Sequence, residues 1–315
     1  MSAGGNNGHR PVLFDEVVEA MRVRPDGVYV DGTFGRGGHA EAVLALLGDS
    51  GRLIVMDKDP EAIACARQRL ADDRRVSIIH DDYAQLARRI EDIGLAQQVD
   101  GVLVDLGVSS PQLDDAGRGF SFQNNGPLDM RMNQDQGMTA ADWLARADES
   151  EIAEVLWRYG EERASRRIAR RIVESRQQQP IVDTATLASL IAQCVPRGKD
   201  KKHPATRSFQ AIRIKINQEL EHLEQFLEGI FDVLAVGGRL LVISFHSLED
   251  RLVKRFMRKH ASPPEIPRGL PVLQAEVQAG IRLKTVGKAL RAGADEVQVN
   301  PRARSAVLRI AERIA

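Results

Sequence analysis

The chain has little cysteine, few aromatic residues, no long apolar run and no net charge, and each shortage excludes a class of protein. Its two cysteines, Cys65 and Cys194, are far apart and form no C-x-x-C spacing, so neither a disulfide scaffold nor a cysteine zinc site is expected. That usage fits a reducing, cytoplasmic setting. No stretch approaches the roughly 18 uninterrupted apolar residues of a membrane helix, which excludes a helical membrane span. With 43% hydrophobic residues among 315 the chain has ample material for a core, and wholesale disorder is excluded too. Residues 1–8 are rich in Gly and Asn without a basic-then-apolar pattern, and read as a flexible tail rather than a signal peptide.

Balanced charge, 44 Lys+Arg against 44 Asp+Glu, argues at first against a nucleic-acid partner. Its distribution reverses the argument. Residues 1–138 hold 14 basic and 22 acidic side chains while 139–315 hold 30 and 22, so the zero is the sum of −8 and +8.

Apolar residues at helical spacing (Leu13, Val17, Val18, Met21) precede the breaker Arg24-Pro25-Asp26-Gly27. Four short apolar runs follow, 28–31, 53–57, 76–80 and 101–105, separated by helical patterns at 39–47, 60–70 and 83–93. Strands of four to six residues alternating with helices of about ten predict β-α-β units, hence a parallel sheet with helices on both faces. Ligands are expected at the carboxyl ends of such strands, where Asp31, Asp57 and Asp105 stand. Residues 107–138 form a long polar loop, and 139–232 read as successive helices (140–147, 150–158, 161–177, 184–193, 208–234) with Ser150 and Thr184 as N-caps. Strand signal returns at 238–245, then a helix at 248–259, a Pro-rich link, a strand near 282–286 and a last one at 305–310. The expected architecture is an α/β core, 9–138 and 233–315, interrupted by a helical insertion at 139–232 that is a candidate for RNA recognition.

Asp31-Gly-Thr-Phe-Gly-Arg-Gly-Gly-His39 follows the first strand and opens a helix. Glycines let backbone approach a ligand, and a helix N-terminus supplies unpaired N–H groups. Asp57, about twenty residues on, suits the hydroxyls of an adenosine ribose. The G-x-G-x-x-G spacing of a dinucleotide site is missing, since the glycines stand at 32, 35, 37 and 38. Asp31 would repel a pyrophosphate but attract the ammonium of an amino-acid moiety. S-adenosylmethionine carries such a moiety beside its adenosine, so a methyl donor is favoured over a dinucleotide.

Beyond that loop come Asp105-Leu-Gly-Val-Ser-Ser-Pro-Gln-Leu113, Arg118-Gly-Phe-Ser-Phe122, Gly126-Pro-Leu-Asp-Met-Arg-Met132, Tyr159-Gly-Glu-Glu-Arg163, His203-Pro-Ala-Thr-Arg207, Ile243-Ser-Phe-His-Ser-Leu-Glu-Asp-Arg251 and Asn300-Pro-Arg-Ala-Arg-Ser305. With the glycine loop, these blocks resemble the bacterial small-subunit ribosomal RNA cytosine-N4 methyltransferases of the MraW family, in order over nearly the whole chain. The resemblance implies a class I S-adenosylmethionine-dependent methyltransferase (Rossmann-like) sheet with an inserted helical domain. It implies S-adenosyl-L-methionine as cofactor and methylation of the exocyclic N4 of a decoding-region cytidine of 16S ribosomal RNA, naked or within a small subunit, and it leaves a homodimer open. Carried over by position, Gly37, Gly38, His39, Asp57, Tyr83, Asp105 and Gln112 would contact the cofactor, with Asp31 beside them.

Cytosine N4 is a poor nucleophile because its lone pair is delocalised into the ring. An enzyme must align it with the S–CH3 bond, accept hydrogen bonds from the amino group and take a proton after attack. A sulfonium leaves as a neutral thioether, so no metal is required. Asp105, Ser109 and Ser110 are the acceptor candidates, the serines alternatively capping a helix. His246 either takes a proton or holds the turn that follows it. Phe120 or Phe122 would stack on a base taken out of its helix.

Arg163, Arg166, Arg167, Arg170 and Arg171 fall on adjacent helical rows; Lys201, Lys202 and Arg207 follow, then Arg251, Lys254, Arg255, Arg258 and Lys259, and finally Arg302 and Arg304. Any one of these fits a solvated helix face. Together, in the +8 part of the chain, they suit phosphate, and with few aromatics nearby (Trp157, Tyr159, Phe209) backbone and shape contacts are expected to outweigh stacking. Binding to RNA should therefore weaken as salt rises, with arginines 163–171 carrying much of the slope; measuring the slope after neutralising them checks this, and an unaltered slope would refute it.

Overall fold

The computed structural model describes residues 10–195, 203–263 and 280–315. The expected tail, Lys201 and Lys202 and most of the Pro-rich link lie outside the described residues. Helix α1 (Phe14–Met21) leads into β1 (Val28–Asp31), α2 (Gly38–Leu46), β2 (Arg52–Asp57), α3 (Pro60–Leu70), β3 (Val76–His80), a 3-10 turn at Tyr83–Gln85, α4 (Leu86–Asp92) and β4 (Val99–Asp105). Some of these starts have a capping side chain. At α3, for example, the Asp59 side chain accepts from Glu61 N and Pro60 supplies a preset first turn.

A second group of helices follows: α5 (Ser110–Asp114), α6 (Ala140–Arg146), α7 (Glu149–Gly160), α8 (Ser165–Arg176), α9 (Thr184–Cys194) and α10 (Thr206–Asn217). Then come α11 (Glu219–Val233), β5 (Leu234–Ser244), α12 (Ser247–His260), β6 (Leu283–Thr285), β7 (Leu290–Arg291), a short helix Ala294–Val299 and β8 (Val307–Arg313).

The sheet runs β3-β2-β1-β4-β5-β8-β6, with β7 on β8. β1 to β5 pair in parallel, as the alternation predicts; β8 is antiparallel to β5 and to β6. Strand order reverses between β1 and β4, the point at whose carboxyl ends open α/β sheets bind ligands. Because side chains alternate across a strand, the sheet has two apolar faces. Tyr29, Leu53, Val55, Leu103, Leu241 and Ile243 pack with α1, α2 and α3, and Val30, Ile54, Met56, Val102, Leu240 and Val242 pack with α4, α11 and α12. Each fully buried Leu or Ile contributes about 1.5–3 kcal/mol.

The chain divides into two compact units, 1–107 with 222–315, and 108–221. The expected boundaries were 138/139 and 232/233. The loop that follows β4 belongs with the helical unit, tied to it by Asn217 while Arg118 braces the loop internally, and 222–232 belongs with the sheet because Leu223, Phe226, Leu227 and Ile230 lie in its core. The helix expected over 208–234 is two helices, broken at Gln218 in the left-handed region (φ 51). No glycine or proline marks that break. Asn217 makes it, donating to Met130 O and accepting from Met132 N, both at 2.7 Å. The helix expected from 161 begins at Ser165, after Glu161 turns left-handed (φ 49). Asp183 rather than Thr184 caps α9, and Asp148 rather than Ser150 precedes α7; Thr184 is buried and its Oγ1 accepts from Gly126 N. Ser305 ends a 3-10 turn, and the last strand begins two residues later.

Gly101, in the middle of β4, faces α1 so closely that a Cβ would overlap Met21 Sδ and lie 2.9 Å from Tyr29 Cδ1. Gly101→Ala should cost about 1–3 kcal/mol of stability, read from urea unfolding, and an unchanged midpoint would contradict this packing.

Candidate functional site

The register of the central strands gathers three acids around the glycine loop. Asp31 stands opposite Val55 of β2 and Leu103 of β4, so Asp57 and Asp105 each lie two residues beyond its level. The loop is stitched to its neighbours by Gly32 N to Leu103 O (2.9 Å), Phe34 N to Met56 O (3.0 Å) and Gly35 N to Asp57 Oδ2 (2.8 Å). Asp105 N donates to Thr33 Oγ1 at 2.6 Å, and Asp31 Oδ1 accepts from Thr33 N at 3.1 Å. Gly37 has φ 83, and a Cβ there would meet the Phe34 ring at 2.5 Å; at Gly38 it would overlap Pro11 Cγ. Both glycines are thus required by the protein's own packing.

Desolvation dominates the electrostatics. Burial pushes Asp31 up to about 7, with the Thr33 N–H opposing and Asp57 adding to the rise. Burial pushes Asp57 up to about 6 against hydrogen bonds from Asp59 and Gly35. Asp105 is raised well above the carboxylate range by burial, then by Asp31 and Glu249. Its Oδ1 is buried and has no hydrogen-bond partner among the described residues. Three desolvated carboxyl groups at one strand edge favour a cationic or hydroxyl-bearing ligand.

Other expected contacts are placed differently. His39 lies on the buried face of α2, stacked on Phe14 at 6.0 Å, and burial pushes it down to about 4. Gln112 Oε1 accepts from Ser109 N at 2.9 Å while Ser109 Oγ caps Gln112 N at 3.4 Å, so these side chains close the start of α5, and Ser110 is the first residue of that helix. His246 caps α12: its Nδ1 accepts from Glu249 N at 3.4 Å, and Nε2 lies 3.1 Å from Glu249 Oε1. Tyr83 sits beside Gly32, whose Cβ would lie 3.4 Å from that of Tyr83.

Phe120 is buried, with the Arg118 guanidinium 5.9 Å from its ring, so it has no face to offer a base. Phe122 is half-buried between His203 and Phe209, at 4.6 and 4.8 Å. Arg163, Arg166, Arg167, Arg170 and Arg171 are exposed on or just before α8, as are Arg207 on α10, Arg251, Lys254, Arg255, Arg258 and Lys259 on α12, and Arg302 and Arg304. Among the aromatics of the basic segment, Tyr159 and Phe209 are buried but Trp157 is 61% exposed.

One group is assembled from residues far apart in the chain. Asp82 Oδ2 lies 3.0 Å from Lys58 Nζ and 2.8 Å from His222 Nδ1, while its Oδ1 accepts from Ala84 N. Burial would raise this carboxyl, but His222 and Lys58 hold it well below the usual range. Phe226, one turn after His222 on α11, packs edge-on against Tyr83 at 5.5 Å. Two residues of α11 thus grip consecutive residues of the loop next to Asp57. The adjacent Asp81-Asp82 pair was the only available signal, and it names no partner.

A parallel sheet with order 3-2-1-4-5, one reversed strand near its far edge, a glycine loop after β1 and acids at the tips of β1, β2 and β4 define a class I methyltransferase fold, Rossmann-like in its layers. The MraW methylase family matches residues 6–314, and the chain belongs to that family. It is 58% identical over 315 residues to the "Ribosomal RNA small subunit methyltransferase H" of Thioalkalivibrio sulfidiphilus, covering 100% of both chains. With the protein of the same name from Shewanella denitrificans it shares 55% over 306 residues, 97% of each. Among solved structures, a SAM-dependent O-methyltransferase of Thermotoga maritima aligns with TM-score 0.43 and 9% identity, over 98% of this chain and 68% of that one.

The raised Asp31 gives a testable sign. Between its ordinary value of 3.8 and its folded value of about 7, the folded state holds the proton that the unfolded state releases, so this group's contribution to stability falls as pH rises. Asp31→Asn removes that loss. From pH 4 to above pH 7 the variant should gain roughly 4 kcal/mol on the parent, measured by urea unfolding, and a pH-independent difference would exclude a buried, protonated Asp31.

Proposed function

We propose that the chain transfers the methyl group of S-adenosyl-L-methionine to small-subunit ribosomal RNA, and that the acceptor atom is the exocyclic N4 of a decoding-region cytidine in 16S RNA. The observation that carries this reading is the full-length likeness, at 58% identity, to a protein named for that RNA substrate. The sheet edge supports its donor half. A buried Asp105 oxygen without a partner, and carboxyls of Asp31 and Asp57 pushed up by desolvation, fit a ligand that brings an ammonium, a sulfonium and ribose hydroxyls.

In this reading Asp57 accepts from the ribose hydroxyls, Tyr83 walls the adenine, and Asp31 faces the amino-acid end beside Gly37. When bound, S-adenosylmethionine supplies an electrophilic methyl group on a sulfur that departs as a neutral thioether. Asp105 accepts a hydrogen bond from the cytosine amino group, which localises the N4 lone pair. It then takes the proton that N4 must lose once the N–CH3 bond has formed and the S–CH3 bond has broken. Ser110 is a second acceptor, while Ser109, Gln112, His39 and His246 shape the neighbouring turns. The exposed arginines of α8 and the basic face of α12, with Arg302 and Arg304, serve RNA phosphates.

Incubation with labelled donor and, separately, free ribosomal RNA, small subunits, DNA and protein tests the substrate. Label should appear in 16S RNA as N4-methylcytidine; absence of transfer to free RNA and subunits alike would sink the proposal. Asp57→Ala should abolish binding of S-adenosylhomocysteine in calorimetry, and unchanged affinity would remove its ribose role.

A further inference from the structure

Trp157 is an exposed aromatic ring at one end of a row of arginines. Glu149, Ala153 and Trp157 are spaced four apart along one ridge of α7, and Arg163, Arg166 and Arg170 follow one side of the chain leading into and along α8. Four residues join these two helices, which pack against each other, and Arg170 Nε lies 3.7 Å from Glu149 Oε1. That contact fixes the register of the hairpin: the start of α7 meets the middle of α8, so Trp157 lies toward Arg163 and Arg166. Among the described residues, Arg163, Arg166 and Arg167 make no ion pair. The pair closing the far end is exposed on both sides, 69% and 45%, and so is weak enough to exchange for a phosphate.

A face that combines one uncovered ring with guanidinium groups of Arg166 and Arg170 roughly 6 Å apart along α8, at 1.5 Å per residue, and Arg163 just ahead of the helix, has the parts needed to hold a single strand. The ring stacks on a base and the row follows the backbone. A duplex hides its bases from such a ring and would use the arginines alone. Charge decides against a second copy as the occupant, because the same arginine row would face itself across a two-fold axis. We infer that the α7–α8 hairpin binds an unpaired segment of RNA, with a base stacked on Trp157 and the adjoining phosphates on Arg163, Arg166 and Arg170. This rests on RNA being the substrate, and it deepens that reading by specifying an unpaired strand and a ring that holds it.

The chain has two tryptophans, and Trp143 is buried with its Nε1 donating to Glu151 Oε1 at 2.9 Å, so quenching of emission by a bound nucleic acid reports on Trp157. A short uridine homopolymer and an RNA duplex of equal length are titrated against the full chain, Trp157→Ala and Trp157→Phe. The single strand should quench the parent and not Trp157→Phe. Trp157→Ala should weaken the single strand about tenfold and leave the duplex unchanged, while Trp157→Phe, which keeps a ring, retains most of the affinity. Equal affinity of parent and Trp157→Ala for the single strand would overturn the inference. So would a parent that sediments as a dimer and a Trp157→Ala chain that sediments as a monomer, which would make the face an interface between copies. Binding of S-adenosylhomocysteine, measured on the same samples, separates failure here from failure of the methyltransferase reading.

Discussion

Burial of β1 and β4 on both faces is the constraint on which the rest depends. Two layers of helices shut water away from the middle of the sheet, and the parallel register brings the ends of β1, β2 and β4 to one edge. An acid at such an end is desolvated by its own scaffold. Asp31, Asp57 and Asp105 accordingly hold their protons more tightly than exposed carboxyl groups. The same packing that stabilises the sheet thus sets the proton affinity of its edge.

The glycine loop owes its composition to that crowding. Thr33 and Gly35 are bonded to all three acids, Gly37 leaves room for Phe34, and Gly38 leaves room for Pro11. Backbone passes between carboxylates without side chains to fend it off. On the opposite side of the sheet, His222 and Phe226 of α11 hold Asp82 and Tyr83, so the first helix of the returning chain also sets the wall beside Asp57.

The helical unit is organised by buried polar staples rather than by a sheet. Arg118 donates to the carbonyl of Met132, Asn217 bonds both Met130 and Met132, and Arg213 pairs with Glu219. These tie a loop with few apolar anchors into a defined shape. The excess of basic side chains in residues 139–315 is spread over the exposed faces of α8 and α12, where helix periodicity separates it from the apolar stripe. Net neutrality of the whole chain conceals that separation.

What the sequence by itself determined is what period and local chemistry can express: the alternation of β1 to β4 with helices, the acids closing three strands, the glycine loop, the family-like blocks and the rows of arginine. Each is a property of residues close in the chain. Tertiary structure decided what depends on partners far away. It split one expected helix at Gln218 because Asn217 bonds a loop 85 residues distant, and it moved the unit boundaries to 107/108 and 221/222. It buried Phe120 and left Trp157 exposed, and it committed His39, Gln112 and His246 to packing or caps. Exposure and hydrogen-bond partners are set by whichever segment lands opposite, and no local pattern carries that information.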